Sequence, residues 1–241
     1  MFKYLIKMMT SSIKVSSITE EAPNTFTFKF DVPKGMNWSP GANGHFVVTD
    51  NQGVYQMNKA YVRHLSIMNN PAEGYIGFTT RVSDNPSLFK ASLKNYTVGD
   101  EMRVFKVKNH IPLVRDNTNV VLISMGVGIA TFRPMIMDYA NNQDGIKSLT
   151  NINIDRHDQH VYKDELTGIT AGNYRNDLVS NRENLYDAIT ETFGDKRSSY
   201  YVVGSDEFLG EICAFLSEND IEPSQIHLDK PDIRRANFIK G

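Results

Sequence analysis

The sequence predicts two regions of different fold class, an antiparallel β region over residues 12–112 and an α/β region after about residue 117. Three observations predict this division. Short runs that alternate apolar and polar residues, separated by Gly, Pro and Asn, fill the first region. Nearly continuous apolar strands occur only in the second region, where glycine turns follow them. Strands that alternate there with helices imply right-handed crossovers and a doubly wound parallel sheet.

The first region opens with a predicted β-hairpin. Its two strands lie on either side of a turn at Pro23–Asn24, in SIKVSSITEEAPNTFTFKFDVP. Four more short strands are predicted in GHFVVTD, RHLSIMNNP, YIGFTTRVS and DEMRVFKV. One helical segment, NPSLFKASLK, interrupts them, and Leu88, Phe89 and Leu93 can share one of its faces. Several short strands in succession predict a sandwich or a small barrel.

The second region repeats a strand–turn–helix pattern. A strand buried on both faces is predicted in NVVLISMG, and a helix-like segment follows it. Next come a strand in TNINIDRHD and a helix in NRENLYDAITETFG. The pattern recurs in SSYYVVGSDEFLGEICAFLSENDI, and QIHLD supplies a last short strand.

Composition excludes several classes of protein. The formal net charge of −2 gives no reason to expect a nucleic acid or an anionic membrane as partner. No stretch approaches the ~20 apolar residues of a spanning helix. A single cysteine, Cys213, excludes an internal disulfide and an iron–sulfur cluster held by several thiolates. The N-terminal MFKYLIKMMTSS carries a lysine inside its apolar run and makes a poor signal peptide, so we expect a cytoplasmic location.

Two glycine turns are candidate ligand sites. Gly126 and Gly128 stand between an apolar strand and a helix, where a backbone without Cβ atoms can approach a phosphate. A packing turn in an ordinary βα unit explains the same spacing. In VVGSDEF, Gly204 ends a strand, and Ser205 or Asp206 caps the next helix. Both turns are expected at the carboxyl edge of the sheet, where open α/β folds bind ligands.

Six motifs occur in a recognisable order along nearly the whole chain. They are NGHF (43–46), RHLS (63–66) followed by IMNNP, VGDEMRV, GVGIATFRPM (126–135), DRHDQHVYKDEL and YYVVGSDEFLGEICAFL. NGHF, RHLS, GVGIATFRPM and YYVVGSDEFLGEICAFL resemble, in that order, the P-G-Q-F, R-x-Y-S, G-T-G-I-x-P-F-R-x-M and Y-x-C-G-P motifs of the ferredoxin–NADP reductase superfamily. VGDEMRV resembles the glycine–acidic step before the last barrel strand of that family, and DRHDQHVYKDEL fits its stretch after the second strand of the nucleotide domain. The resemblance implies a flavin-binding antiparallel β-barrel over residues 1–115 and a Rossmann-like NAD(P)-binding α/β domain over 116–241.

The resemblance also implies roles in flavin binding. Arg63 would pair with a flavin phosphate, a role that suits a planar cation with several donors, although a surface arginine is the plainer interpretation. Ser66 would hydrogen-bond flavin N5. Adjacent residues of a regular strand point to opposite faces, so Leu65 and Ser66 cannot both face the ring unless the strand is bulged. Ser87, in NPSLF, matches the position where a helix N-terminus meets the flavin pyrophosphate, and it is equally a plain N-cap.

Departures from the family pattern concern the flavin ring. Leu65 replaces the aromatic residue of the family, so we expect apolar contact there, or stacking by His64, Tyr61 or Phe238. Asp229 stands where many members carry a glutamate near the active centre, which makes Asp229 and Ser66 the candidate catalytic residues.

Other departures concern the nucleotide. The turn that would receive the nicotinamide dinucleotide is Gly126, Val127, Gly128 and Ile129, where Val127 replaces a threonine and Thr131, further on, a proline. In the second turn Val203 replaces a cysteine and Ser205 a proline. With these replacements we still expect flavin binding, together with either slow hydride transfer or an unusual partner.

Arginines decide the expectation about the donor. A 2′-phosphate needs cations near the second strand of the nucleotide domain. Arg156 follows NINID, and VSNRENLY (179–186) faintly resembles a serine–arginine patch, so we expect NADPH over NADH. Either arginine can equally be a solvated surface charge. The HDQH pair (157–160) has no third ligand in sequence, and we expect no metal.

The function expected from the resemblance is that of a flavoprotein reductase. NAD(P)H would deliver a hydride to FAD (FMN is less expected), and electrons would pass to an external small molecule or small redox protein. Ferredoxin, flavodoxin, free flavin and a ferric chelate are open as acceptors. A ferric-siderophore reductase and a catalytically weak flavin- or nucleotide-binding regulatory subunit are the alternatives.

Overall fold

The computed structural model describes residues 10–49, 54–55, 58–195 and 197–239, with the Asp232 side chain left out. The chain divides into two compact units, Met1–Asn109 and His110–Gly241. The predicted boundary after residue 115 lies a few residues further along the chain. Most of the N-terminal stretch expected to be a poor signal peptide lies outside the described residues. Within the described ranges, no helix is both long enough and apolar enough to span a bilayer.

The first unit is a six-stranded antiparallel sheet with the strand order β4-β3-β6-β1-β2-β5. The Met68 N–H donates to the Gly77 carbonyl at 2.9 Å, which joins the end of β4 to β5 and gives the sheet its barrel form. The antiparallel barrel is therefore confirmed, with the predicted turn at Pro23–Asn24 between its first two strands. The strands are β1 (Ser11–Ala22), β2 (Thr25–Asp31), β3 (Ala42–Val47), β4 (Val62–Ser66), β5 (Tyr75–Arg81) and β6 (Glu101–Asn109).

Alternation of side chains builds the barrel core. Phe28, Phe30, Phe46 and Phe78 are buried and their rings lie against one another. A short helix, α1 (Leu88–Leu93), buries Phe89 and Leu93 against this core. Leu88 was expected on the same face, but it is 55% exposed. That expectation was wrong because Leu88 is the first residue of α1. Its side chain lies outside the face that Phe89 and Leu93, four residues apart, turn to the core.

The second unit is a five-stranded parallel sheet with the strand order β11-β10-β7-β8-β9. The order reverses between β7 and β10, the place where doubly wound sheets hold ligands at their carboxyl edge. The α/β prediction is confirmed. The strands are β7 (Thr118–Met125), β8 (Ile146–Ile154), β9 (Tyr174–Val179), β10 (Ser199–Val203) and β11 (Ile226–Leu228). The helices are α2 (Ile129–Asn141), α3 (Lys163–Thr167), α4 (Arg182–Thr190), α5 (Asp206–Glu218) and α6 (Asp232–Arg235).

The sequence pattern gave no sign of strand β9. Its six residues, YRNDLV, are all half-buried, and the strand lies at the edge of the sheet. An edge strand of mostly polar residues lacks the apolar run that marks the central strands β7 and β8. Strand β9 exists because it pairs in register with β8 from Leu149↔Tyr174 to Ile154↔Val179.

Candidate functional site

A cluster of three cations lies at one end of the barrel. The Lys90 ammonium, on α1, donates to the Arg81 carbonyl at the end of β5 at 2.6 Å. Burial, followed by the nearby charges of Arg63 and Arg81, lowers the pKa of Lys90. The Arg63 guanidinium donates to the main-chain oxygens of Lys59 and Val62. Among the described residues, neither Arg63 nor Lys90 has a carboxylate partner, so this end of the barrel carries unbalanced positive charge.

Ser87 adds an unsatisfied hydroxyl beside this cluster. It occupies the N-cap position of α1 but makes no side-chain cap. Its Oγ is buried and has no hydrogen-bond partner within the described part of the chain. Buried polar atoms in native proteins are almost always paired, so an unpaired one calls for a ligand or water. Because α1 has only six residues, the cations and this hydroxyl carry the argument for an anion here, rather than the helix terminus.

Strand β4 presents the other predicted flavin residues. Leu65 packs in part against the barrel core, opposite Gly44 of β3. Ser66 is half-buried and pairs in register with Asn43. Tyr61, a suggested stacking residue, also packs against the barrel core.

His64 is exposed and belongs to a histidine pair. Its Nε2 lies 2.6 Å from Asn43 Oδ1, and its ring centroid lies 5.1 Å from that of His45. Burial, and then the charges of His64, Lys106 and Lys108, lower the pKa of His45. The pair therefore faces a basic part of the barrel surface, and His64 is held by β3.

The predicted glycine turn in the second unit forms a short 3-10 turn, Gly126–Gly128, directly before α2. Gly126 has φ +53°, a conformation that L-residues rarely adopt. A Cβ at Gly128 would lie 3.1 Å from the Val203 carbonyl oxygen. Ile129 is fully buried, and its backbone N–H donates to the Gly126 and Val127 carbonyls. Backbone conformation thus explains Gly126 and packing explains Gly128, and the phosphate role of the turn stays a prediction.

A buried hydrogen-bond network fixes this turn from below. The Asn153 amide nitrogen donates to Ser124 Oγ at 2.9 Å and to the Gly126 carbonyl at 3.1 Å. Its Oδ1 lies 2.8 Å from Nδ1 of His160, whose side chain is fully buried. Burial is the largest effect on the pKa of His160 and lowers it, which favours a neutral imidazole that donates from Nδ1. The network ties the loop after β8 to the glycine turn.

The two histidines of HDQH therefore have different settings. His160 is buried in the network, whereas His157 is exposed and its backbone N–H donates to Asp155 Oδ1 at 3.0 Å. Within the ranges that the structure describes, no group of three or more His, Cys, Asp or Glu residues is arranged to hold a metal ion.

Asp155 follows β8 and is buried next to the glycine turn. A Cβ on Gly126 would lie 3.6 Å from Asp155 Oδ2. The Asp155 N–H donates to the Val179 carbonyl at 3.0 Å, which joins the ends of β8 and β9. The neighbouring Arg156 is exposed.

The second glycine turn leads into α5. A Cβ at Gly204 would overlap the Phe208 ring, so packing accounts for this glycine too. Ser205, rather than Asp206, caps α5, because its Oγ accepts the Phe208 N–H at 3.2 Å. Asp206 instead pairs with Lys230 at 2.7 Å.

The remaining predicted residues lie in the second unit. Arg182, at the start of α4, pairs with Glu211 at 2.9 Å, and its guanidinium lies over the Phe208 ring. Asp229 is half-buried directly after β11. Phe238 packs against the core of the second unit. Ser66 and Asp229, the two candidate catalytic residues, thus belong to different units.

Comparison with known proteins identifies the architecture. No protein-family model matches the chain, and no curated sequence matches significantly. A ferredoxin NADP+ reductase from Neisseria gonorrhoeae, with bound FAD and NADP, superposes with a TM-score of 0.76 at 15% identity, over 92% of this chain and 98% of the reductase. The chain has the ferredoxin–NADP+ reductase fold.

Two more structures share the reductase fold. The flavohem-like FAD/NAD-binding domain of nitric oxide dioxygenase from Vibrio cholerae O1 biovar El Tor matches with a TM-score of 0.74 at 18% identity, covering 92% of this chain and 98% of that domain. Phthalate dioxygenase reductase matches with a TM-score of 0.71 at 17% identity, covering 91% of this chain and 67% of that protein. At these identities the likeness establishes the fold.

Four residues of the candidate sites were not predicted from the sequence. They are Arg81, Lys90, Asn153 and Glu211. Arg81 and Lys90 lie in segments predicted as a strand and a helix, but nothing local shows that they meet Arg63. Asn153 had a signal, because a polar residue inside the apolar run NINI is unusual in a buried strand. Glu211, on α5, had none.

Proposed function

We propose that this protein is an NAD(P)H-dependent flavoprotein reductase. In this proposal the barrel binds FAD, and the α/β unit binds the pyridine nucleotide. Electrons leave to an external acceptor, such as ferredoxin, flavodoxin, free flavin or a ferric chelate. The observation that carries the proposal is the cation cluster of Arg63, Arg81 and Lys90 beside the Ser87 hydroxyl, which has no hydrogen-bond partner among the described residues.

The barrel residues fit a dinucleotide flavin. The pyrophosphate of FAD is a dianion, and the cluster offers two guanidinium groups and an ammonium to neutralise it. The buried Ser87 hydroxyl donates to a phosphate oxygen and is thereby satisfied. Leu65 gives apolar contact in place of aromatic stacking, and the Ser66 hydroxyl is the proposed partner of flavin N5. When bound, FAD supplies the isoalloxazine ring that accepts the hydride.

Charges at the carboxyl edge of the parallel sheet favour one turn for the nucleotide pyrophosphate. The first turn of α4 contains Glu183, and that of α5 contains Asp206 and Glu207. The first turn of α2 contains no acid. A phosphate is repelled by first-turn carboxylates and attracted by free backbone N–H groups. The proposed phosphate site is therefore Gly126–Ile129, with Asn153 holding the Gly126 carbonyl inward.

The proposed nicotinamide side of the site lies towards β10 and β11, where Gly204, Ser205 and Asp229 follow the strand ends. Asp229 is proposed to act near the nicotinamide, as the family resemblance implies. These 241 residues contain one cysteine, so they do not themselves hold a cluster-type acceptor. Phthalate dioxygenase reductase is a modular structure for electron transfer from pyridine nucleotides to [2Fe–2S], which supports an iron–sulfur acceptor here.

An anaerobic absorbance titration tests the proposal. The purified protein is reconstituted with FAD, separated from free flavin and mixed with NADH or NADPH. We expect a bound flavin band that one of the nucleotides bleaches. Arg63→Ala should lose the flavin and keep the fold, whereas Lys29→Ala, which removes a barrel cation lying over Tyr75, should retain it. Normal flavin content in Arg63→Ala contradicts the proposed cofactor site.

A regulatory subunit that binds flavin without turnover is the second candidate. Two observations favour it: Leu65 turns in part to the barrel core, and Val203 places an apolar side chain against Gly128. A bound flavin that neither nucleotide bleaches would support this candidate over the reductase.

A further inference from the structure

We propose that the nucleotide site selects NADH over NADPH and that Glu211 sets this selectivity. The inference rests on the proposed function. It reverses the preference for NADPH that the arginines of the sequence indicate, because the structure reveals what those arginines contact.

The fold locates the adenosine end of the site. In doubly wound sheets the pyrophosphate lies at the first strand–helix turn, and the adenosine ribose lies near the end of the following strand. Here the first turn is Gly126–Gly128 and the following strand is β8, which ends at Ile154. The hydrogen bond from the Asp155 N–H to the Val179 carbonyl brings the end of β9 to the same place. The groups available to the ribose are thus those after β8 and those that begin α4.

The group after β8 is a buried carboxylate. Asp155 is 4% exposed, and its Oδ2 lies next to Gly126. A carboxylate accepts hydrogen bonds from the two hydroxyls of an unmodified ribose and repels a 2′-phosphate.

The arginine that begins α4 is already neutralised. Arg182 Nη2 lies 2.9 Å from Glu211 Oε2, and the Tyr186 hydroxyl donates to Glu211 Oε1 at 2.5 Å. The Arg182 guanidinium also lies over the Phe208 ring, with its Cζ 5.2 Å from the ring centroid. Both Glu211 oxygens therefore have partners that hold the carboxylate against Arg182. A 2′-phosphate that approached Arg182 would meet the charge of Glu211 as well.

Arg156 does not supply the positive charge that a 2′-phosphate needs. It is exposed and lies between Asp155 and Asp158 in the chain. Arg175 pairs with Asp177 at 2.6 Å and with Glu191 at 2.8 Å. Arg175 also lies near the amino end of β9, away from the carboxyl edge of the sheet. The adenosine end therefore offers a 2′-phosphate Arg156, which lies among acids, and Arg182, which is paired with Glu211, and we infer that such a site prefers NADH.

Isothermal titration of the FAD-loaded protein with 5′-AMP and with adenosine 2′,5′-bisphosphate, which differ only by the 2′-phosphate, tests the inference without turnover. For the wild type we expect 5′-AMP to bind roughly tenfold more tightly, because like charges at a site penalise the wrong ligand. Glu211→Gln releases Arg182 and should shift the ratio towards the bisphosphate by about tenfold. The kcat/KM ratio for NADH over NADPH should move in the same direction.

Two further variants sharpen the test. Glu191→Gln also removes a carboxylate from an arginine, but at the other edge of the sheet, and should leave the ratio unchanged. The double variant E211Q/R182A should return the ratio to the wild-type value, because the freed guanidinium is then gone. Thermal denaturation verifies that each variant is folded.

The outcomes separate the inference from the proposed function. Tighter binding of the bisphosphate by the wild type, or an unchanged ratio in folded Glu211→Gln, overturns the selectivity while leaving the reductase in place. Failure of both nucleotides to bind the wild type overturns the nucleotide site, and the selectivity with it.

Discussion

Nδ1 of the His160 imidazole lies 2.8 Å from Oδ1 of Asn153, and both side chains are buried. The amide nitrogen of the same Asn153 reaches the Gly126 carbonyl. A loop histidine is thus connected through one side chain to the turn proposed to bind phosphate. The sequence motif HDQH therefore has a structural role in the loop after β8.

Replacing Asn153 by leucine should damage both stability and nucleotide binding. The change leaves His160 Nδ1 and Ser124 Oγ without the Asn153 partner they have now, and each buried unpaired group costs about 1–3 kcal/mol. The Gly126 carbonyl loses the Asn153 hydrogen bond and keeps the one from the Ile129 N–H. Urea denaturation should give a lower free energy of unfolding, and the nucleotide KM should rise. Asn119→Leu, at the other end of the sheet, is the control: it should affect stability and leave the KM of the remaining folded protein unchanged.

Ser87→Ala should have opposite effects on the apoprotein and on the flavin complex. The Ser87 Oγ is buried and unpartnered among the described residues, so its removal should leave the apoprotein's Tm unchanged or slightly higher. The FAD Kd should rise by roughly tenfold, since one hydrogen bond to a charged phosphate is lost. A lower apoprotein Tm with unchanged FAD affinity would show that Ser87 is only a helix cap.

Ser205→Ala provides the matched comparison. Its Oγ accepts the Phe208 N–H, so the variant should lose about 1 kcal/mol of the free energy of unfolding. Chemical denaturation of the two serine variants side by side measures this contrast. Equal effects would mean that the two caps do not differ as the hydrogen bonds indicate.

Gly128→Val should raise the nicotinamide KM or abolish turnover while the protein keeps its flavin. Its Cβ would meet the Val203 carbonyl at 3.1 Å, and the branches would force the turn away from β10. Gly210→Ala is the control, because a Cβ at this helical glycine meets no atom within 4 Å. That variant should gain about 0.5–1 kcal/mol from helix propensity, with unchanged kinetics. Steady-state kinetics on flavin-loaded protein measures both variants. Unchanged KM and turnover in Gly128→Val, as expected for Gly210→Ala, would contradict the expectation.

The stability of the second unit should fall between pH 6.5 and pH 4 in a manner that depends on His227. Burial, followed by the charge of Arg235, lowers the pKa of His227 to about 4. The unfolded chain takes up a proton near the ordinary pKa of about 6.5, before the folded protein does, so acid favours unfolding over this window. His227→Phe keeps the ring stacked on Tyr201 and removes the titration.

Urea denaturation at pH 7 and pH 4.5 checks this expectation. The loss of free energy of unfolding on acidification should be smaller in His227→Phe than in the wild type. The control is His157→Asn, which changes an exposed histidine. On acidification this variant should lose as much free energy of unfolding as the wild type. If His227→Phe loses as much as the wild type, another group causes the acid sensitivity.

Local patterns predicted most of the fold, and their failures have physical causes. The hairpin at Pro23–Asn24 and the strand before Gly126 follow from alternation, apolar runs and turn residues, which are properties of short segments. Strand β9 escaped prediction because an edge strand is stabilised by pairing with β8 rather than by its own composition. Leu88 was misplaced because helical periodicity does not reveal at which residue a helix begins.

By itself, the sequence determined that an antiparallel β domain precedes a parallel α/β domain, and where the glycine turns fall between strand and helix. Only the tertiary structure decided which charges meet. It placed Lys90 beside Arg63 and Arg81, without a carboxylate partner for Lys90 or Arg63 in the described chain. It placed Glu211 of α5 against Arg182 of α4. The reason is physical: secondary structure depends on neighbours along the chain, whereas the electrostatic state of a side chain depends on neighbours that packing brings from elsewhere.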